Sequence, residues 1–387
     1  MTRKLLCAAC ILASALLYLY TGTAAALFLV LTSVLLPSSA LLLAALSADK
    51  LSVSLRVPAD LRKGERVHCT LCVETRTWIP VSYAELLLLV TNTLTGQEER
   101  IPLTFSAAPY EKKEADLSFT SGCCGQFVFT CGQMRVFDFL GLRAIRKGIK
   151  IHEKRTVPPE LFGTRVTLTG TQSPPGGGET FSVALRGQDK TEPFQIREYA
   201  EGDNRRQIHW KLTQKLDRYI VIDPSLELEA ALLMLWDGAP LPEGTPPQVP
   251  DALAEAFISA CIALAEEGVP YAAAWKSGES GEVVIQDVSQ MDDVYNVVPG
   301  ILCANAGAGA ALIPELLLKL DGKSYPLTAY FSYQAPQEQI PTGKLTSFIC
   351  KPEGAAAFTS DDGASAPDEC VVFTPANYEN ILREINI

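Results

Sequence analysis

The first 47 residues constrain this chain more than any other part of it. Arg3 and Lys4 precede an uncharged run over 5–20, Thr21-Gly22-Thr23 interrupts it, and a second uncharged run covers 24–46. A membrane-spanning helix needs ~20 apolar residues, within a range of ~17–25. The second run meets this outright, and the first meets it once Thr21 and Gly22 are counted. Lipid offers no partner for backbone N–H and C=O groups, so both runs must be helical. The short connection makes them a hairpin. Pro37 falls inside the second helix and is expected to kink it, which neighbouring groups can accommodate. Basic residues stand at both feet, Arg3 and Lys4 before the hairpin and Lys50, Arg56, Arg62 and Lys63 after it, with none in the turn. The preference of Lys and Arg for the cytoplasmic side predicts that both ends lie there. The expected location is therefore the cell (inner) membrane, multi-pass, with the soluble body facing the cytoplasm. A second long apolar run directly after the first argues against a cleaved signal peptide.

The 387 residues leave room for two or three domains. A net charge of −11 argues against nucleic-acid binding, which needs a basic face for the phosphates. An acidic body also gains no general pull toward anionic lipid, so attachment must come from the hairpin. The 11 cysteines are odd in number and scattered, unlike a disulfide framework, and fit a reducing compartment. Cys69-x-x-Cys72 lies in an alternating run, where residues three apart face opposite sides of a strand. No second pair follows at zinc-site spacing, so these read as small buried hydrophobes.

Beyond the hairpin (1–47) the texture changes twice. Residues 48–150 carry short β runs at 66–73, 83–91, 101–105, 115–119, 125–130 and 134–137, separated by turn residues. That pattern predicts an all-β immunoglobulin-like sandwich. Residues 151–193 read as a Pro/Gly-rich connector, including Gly176-Gly-Gly178, which lacks the Lys-Ser/Thr of a phosphate loop. Residues 194–225 are a charged segment. From 226 to 387 strands alternate with helices, predicting an α/β, Rossmann-like unit. Its strands are expected at 230–236, 271–275, 282–285, 327–331 and 370–373, and its helices at 250–267, 291–302 and 311–320. Leu253, Phe257, Ile258, Cys261 and Leu264 share one face of the first helix.

The densest chemistry is Phe194-Gln-Ile-Arg-Glu-Tyr-Ala-Glu-Gly-Asp-Asn-Arg-Arg-Gln-Ile-His-Trp-Lys211. Gly202-Asp203 marks a turn between two extended arms. The arginines suit two-point bonding to carboxylates. Phe194, Arg197, Tyr199, Gly202, Asp203, Arg206, Ile208, His209, Trp210 and Lys211 together resemble the signature of the family called domain of unknown function 58. Members typically begin with a membrane hairpin. Their β-rich segment ends in Arg-Gly-aromatic and Asp-Pro-Phe-Gly-Leu runs, whose counterparts here are Cys124-Gly125-Gln-Phe127 and Asp138-Phe-Leu-Gly141-Leu142. The family's Arg and Pro are absent, and Gln214-Lys215 replace a small residue and Arg after the signature.

The resemblance implies a C-terminal unit similar to a von Willebrand factor type A domain. In that fold an Asp-x-Ser-x-Ser turn holds a divalent cation through hard oxygen ligands. The equivalent turn here is Asp237-Gly-Ala-Pro-Leu241, without either serine, so Asp237 is a degenerate position and no metal or other cofactor is expected. Relatives are often encoded beside MoxR-type AAA+ ATPases, which implies such a partner. Three readings of the signature stay open. It staples the two soluble domains, it docks a protein partner, or His209 works with Asp203 or Glu198 in catalysis, for which no nucleophile lies at a recognisable spacing. The expectation is a membrane-anchored, non-enzymatic scaffold or assembly factor. A divalent-metal-dependent binding module is the alternative.

Overall fold

A computed structural model describes residues 2–168, 193–198, 218, 220–224, 232–238, 244–278, 280–304, 312–320, 325–336, 338–340, 342–354 and 369–387. Two compact units divide the chain. The first is Met1–Glu160 with Pro246–Ala254 and Leu302–Gly307, and the second is Leu161–Thr245, Glu255–Ile301 and Ala308–Ile387.

The first unit begins with α1 (Thr2–Thr21) and α2 (Ala24–Asp49), packed as an antiparallel pair. Gly22 ends α1 in the left-handed region at φ +61°, and its N–H donates to the Tyr18 carbonyl at 2.9 Å. A glycine in that position costs no Cβ strain and closes the helix. Thr23 then caps α2, its hydroxyl accepting from the Ala26 N–H. The helix continues through Pro37 to Asp49. Between the helices the Ser14 and Ser33 hydroxyls meet at 3.1 Å, while most of the leucines point outward. Both helices are long and apolar enough to span a membrane. A third helix, α3 (Gln248–Glu266), is also long and apolar enough, but 83% of its most apolar window is buried inside the protein. It is a core helix. Burial runs nearly all the way round it, beyond the single face that its periodicity suggests.

The sandwich follows directly. Its strands are β1 (Leu51–Arg56), β2 (Arg66–Thr75), β3 (Val81–Asn92), β4 (Glu98–Ala107), β5 (Lys112–Thr120), β6 (Gly125–Phe137) and β7 (Ala144–Val157). They form one sheet in the order β1-β2-β5 and another in the order β4-β3-β6-β7, all antiparallel. This is the two-sheet immunoglobulin-like arrangement. The runs at 125–130 and 134–137 are a single strand with a register shift between Cys131 and Gln133. The connector expected from 151 begins later, because β7 continues to Val157, which is fully buried. Ile149 and Ile151 keep the inward alternation going while Lys150 and His152 face out. Cys69 and Cys72 lie on opposite faces of β2, and both are buried. Burial pushes the Cys69 thiol up to about 11, against a smaller pull from Arg155. It therefore stays protonated and unreactive at neutral pH.

The second unit is built on a six-stranded sheet. Its strands are β11 (Leu232–Trp236), β12 (Tyr271–Lys276), β13 (Val283–Val288), β14 (Tyr325–Ser332), β15 (Thr342–Cys350) and β16 (Glu369–Phe373). The order is β13-β12-β11-β14-β15-β16, parallel except for the edge strand β13. Helices α4 (Met291–Leu302) and α5 (Leu312–Leu320) complete the α/β pattern. All five residues of β11 are buried, as expected for a strand covered on both faces. Phe257 packs edge-on between Trp236 and Phe331, and Phe331 stacks on Phe348 at 4.6 Å. The C-terminus closes this unit. Strand β17 (Glu384–Asn386) pairs with β8 (Arg165–Thr167), and Leu382, Ile385 and Ile387 are buried. Ahead of β17, α6 (Tyr378–Ile381) sends the Tyr378 hydroxyl to the buried Glu255 carboxylate at 2.7 Å.

Candidate functional site

The signature segment is only partly described. Its first residues form β9 (Pro193–Glu198), which pairs antiparallel with β10 (Ile220–Pro224). Arg197 sits opposite Val221, and Ile196 opposite Ile222. This partner strand comes from beyond the 194–211 motif, from the β-branched run Ile220-Val-Ile222, and the arm expected after Gly202-Asp203 lies outside the described residues. Phe194 and Arg197 lie on β9. Tyr199, Gly202, Asp203, Arg206, Ile208, His209, Trp210 and Lys211 lie outside the described residues, as does Gly176-Gly-Gly178.

Asp237 follows β11, at the carboxyl edge of the parallel strands. Strand order reverses there, with β12 on one side of β11 and β14 on the other. Such a switch point is where open α/β sheets bind ligands. The Asp237 N–H donates to the Phe331 carbonyl at 2.9 Å, and its carboxylate accepts from the Tyr330 hydroxyl. Burial, together with the adjacent Asp237 charge, pushes the Tyr330 phenol far above its ordinary range. That hydroxyl is a fixed donor, so one carboxylate oxygen is already engaged within the protein.

The sandwich has two chemically different ends, and the strand registers identify them. The pairs Leu51↔Thr75, Glu74↔Lys112, Val81↔Ala107 and Phe137↔Ala144 put three loops, 76–80, 108–111 and 138–143, at the end where α2 delivers the chain. The loops are tied together and to the hairpin. Arg76 N–H donates to the Lys50 carbonyl at 3.1 Å, and Tyr110 N–H to the Thr77 carbonyl at 3.1 Å. Lys147 Nζ donates to the carbonyls of Ala48 and Asp49, at the end of α2, and of Leu51, at the start of β1, at 2.7–2.9 Å. This end exposes large apolar groups. Trp78 is 67% exposed, Tyr110 70% and Phe139 45%. The 138–143 loop is closed by the buried Asp138. Its carboxylate accepts from Arg143 N–H at 2.8 Å, and its carbonyl accepts from Gly141 N–H at 2.9 Å. Gly141 sits at φ +66°, and a Cβ there would come 2.5 Å from an Arg3 guanidinium nitrogen. The Asp and Gly of that motif thus have a structural reason.

The opposite end is polar and locked. Asn92 is buried, donates to the Cys124 carbonyl at 3.0 Å and accepts from Leu94 N–H at 3.0 Å. Gly125 takes φ +126°, where a Cβ would lie 2.5 Å from the Asn92 carboxamide oxygen. Asp251 is almost buried, accepts from Cys124 N–H at 2.6 Å and pairs with Lys63 Nζ at 2.7 Å. No local pattern signals this cluster, since its members are far apart along the chain.

No family model matches the chain, and no curated protein matches it. Among solved structures it is similar to the CARDB domain of a Pyrococcus furiosus protein, at 14% identity and a TM-score of 0.22, covering 28% of this chain and 91% of that one. A β-glucosidase from Listeria innocua matches at 11% identity and a TM-score of 0.18, over 26% of this chain and 16% of the enzyme. A β-glucosidase from Erythrobacter marinus matches at 12% and 0.19, over 26% and 15%.

Proposed function

We propose that this protein is a membrane-anchored, non-enzymatic scaffold. In this reading its soluble body stands at the cytoplasmic face of the cell membrane and engages a protein partner, an AAA+ ATPase of the MoxR type. The observation that carries the reading is the join between hairpin and sandwich. Three carbonyl hydrogen bonds from Lys147, with the Arg76–Lys50 backbone bond, hold the sandwich in a set orientation on the helices. A body that worked as a free tethered module would not need such a join. Basic feet at both ends of an uncharged hairpin turn support the cytoplasmic side. The strand order of the second unit, with its antiparallel edge strand, supports a von Willebrand factor A-like interaction domain. The internal bond from Tyr330 to Asp237, with Ala239 and Leu241 in place of serines, supports a metal-free one.

Cross-linking in the native membrane, followed by purification of the full chain, tests the proposal. Recovery of an AAA+ ATPase is the expected result, and its absence from the cross-linked material overturns it. The alternative, Mg²⁺ held at Asp237, is separated by titration calorimetry with Mg²⁺ and Mn²⁺. Heat from the native chain that disappears in Asp237→Ala would favour it over the metal-free scaffold.

A further inference from the structure

A groove of about 780 Å³ runs along the hairpin between α1 and α2, and it is closed at the α1 foot by the 138–143 loop. Leu6, Cys10 and Leu17 line it from α1, Leu29 and Leu36 from α2, and Leu140 from the loop. From Arg3 to Leu17 the α1 wall is about 20 Å long at 1.5 Å per residue. One leaflet of a bilayer core is about half of ~30 Å thick. The groove therefore has the length and the apolar wall to take an acyl chain. Its foot is different in kind. Arg3 stands there beside Gly141, whose missing side chain leaves room for the guanidinium. Arg3 is exposed, and no hydrogen bond or ion pair engages it among the described residues.

We infer that the groove seats one anionic phospholipid, with an acyl chain between the helices and the headgroup phosphate on Arg3. Charge complementarity selects this occupant. An unpaired guanidinium at the membrane–water boundary is a two-point donor for phosphate oxygens, and basic pockets between membrane helices take acidic headgroups. A second copy of the hairpin would bring a second Arg3 to the foot and leave both without a counter-charge.

The test uses the full chain in mild detergent, titrated with dioleoylphosphatidylglycerol or dioleoylphosphatidylcholine and read by native mass spectrometry. One retained phosphatidylglycerol is expected, preferred roughly fivefold to tenfold over phosphatidylcholine, from one basic contact at the membrane surface. Arg3→Gln should abolish the preference. Lys4→Gln, which removes a neighbouring charge that does not line the groove, should keep it. Glycerol 1-phosphate should fail to compete, because it lacks the chain. Equal retention of the two lipids by the native protein overturns the inference. So does a preference that survives Arg3→Gln, competition by glycerol 1-phosphate, or a lipid-free dimer in place of the adduct.

Discussion

The two ends of the β-sandwich are made from the same kind of inter-strand loops, yet they are finished in opposite ways. The end distal to the hairpin buries its polar groups and satisfies them. Asn92 serves two loops, Ser121 donates to the Arg62 carbonyl at 2.8 Å, and Asp251 is shared by Lys63 and the Cys124 N–H. The proximal end leaves Trp78, Tyr110 and Phe139 uncovered within reach of the helix feet. In water, such a concentration of large apolar groups on three adjacent loops would be a liability. At a bilayer surface it is the expected finish, since Trp and Tyr favour the headgroup level. The contrast shows that exposure has to be judged against the medium each end faces.

The comparison can be broken most forcefully at the distal end. Asp251→Ala removes the carboxylate that the Lys63 ammonium and the Cys124 N–H share in a nearly closed site. Breaking a buried pair this way costs about 3–5 kcal/mol. Thermal unfolding of the full chain in detergent should fall by on the order of 10 °C. A drop of only a degree or two would mean that water reaches this end, and the contrast would weaken. At the proximal end the expected effect is smaller and more local. Lys147→Met removes three charge-assisted bonds to the α2–β1 junction, a loss of about 1.5–3 kcal/mol. Hydrogen exchange should then speed up across the helix–strand junction at 48–51 while the distal end stays protected. Unchanged exchange at the junction would show that the hairpin is held by other contacts.

Much of this architecture was legible in the sequence, and the failures have physical causes. The hairpin could be read because lipid forbids both charge and unpaired backbone over a fixed length. Most sandwich strands showed their alternation. Strand β7 was missed because Lys150, His152 and Lys154 on its outer side hid Ile149, Ile151 and Val157 on the inner one. Strand β15 was hidden by Thr346 and Ser347, polar residues that are fully buried in the sheet. It also needs Gly343, where a Cβ would come 2.7 Å from the Pro326 carbonyl. Of the candidate positions, Asp237 was found at the strand end that the sequence indicated. The Asp251–Lys63 pair joins residues distant in the chain, which no local pattern reveals. The aromatic end could be seen only once strand register had placed Trp78, Tyr110 and Phe139 together. Cys69 and Cys123, which topology experiments would first choose, are buried, so the exposed Cys370 is the better reporter of the side on which the body lies.

The most direct test of the account is the depth of Trp78 in a membrane. The full chain is reconstituted in vesicles whose lipids are brominated high on the acyl chain, and its fluorescence quenching is compared with that of Trp78→Phe. Clear quenching in the native protein that is lost in the variant, with little quenching of Trp78 by aqueous iodide, is the expected result. Quenching by iodide, with none from brominated lipid, would place the aromatic end in water and contradict the claim that this end of the sandwich is built to face a bilayer.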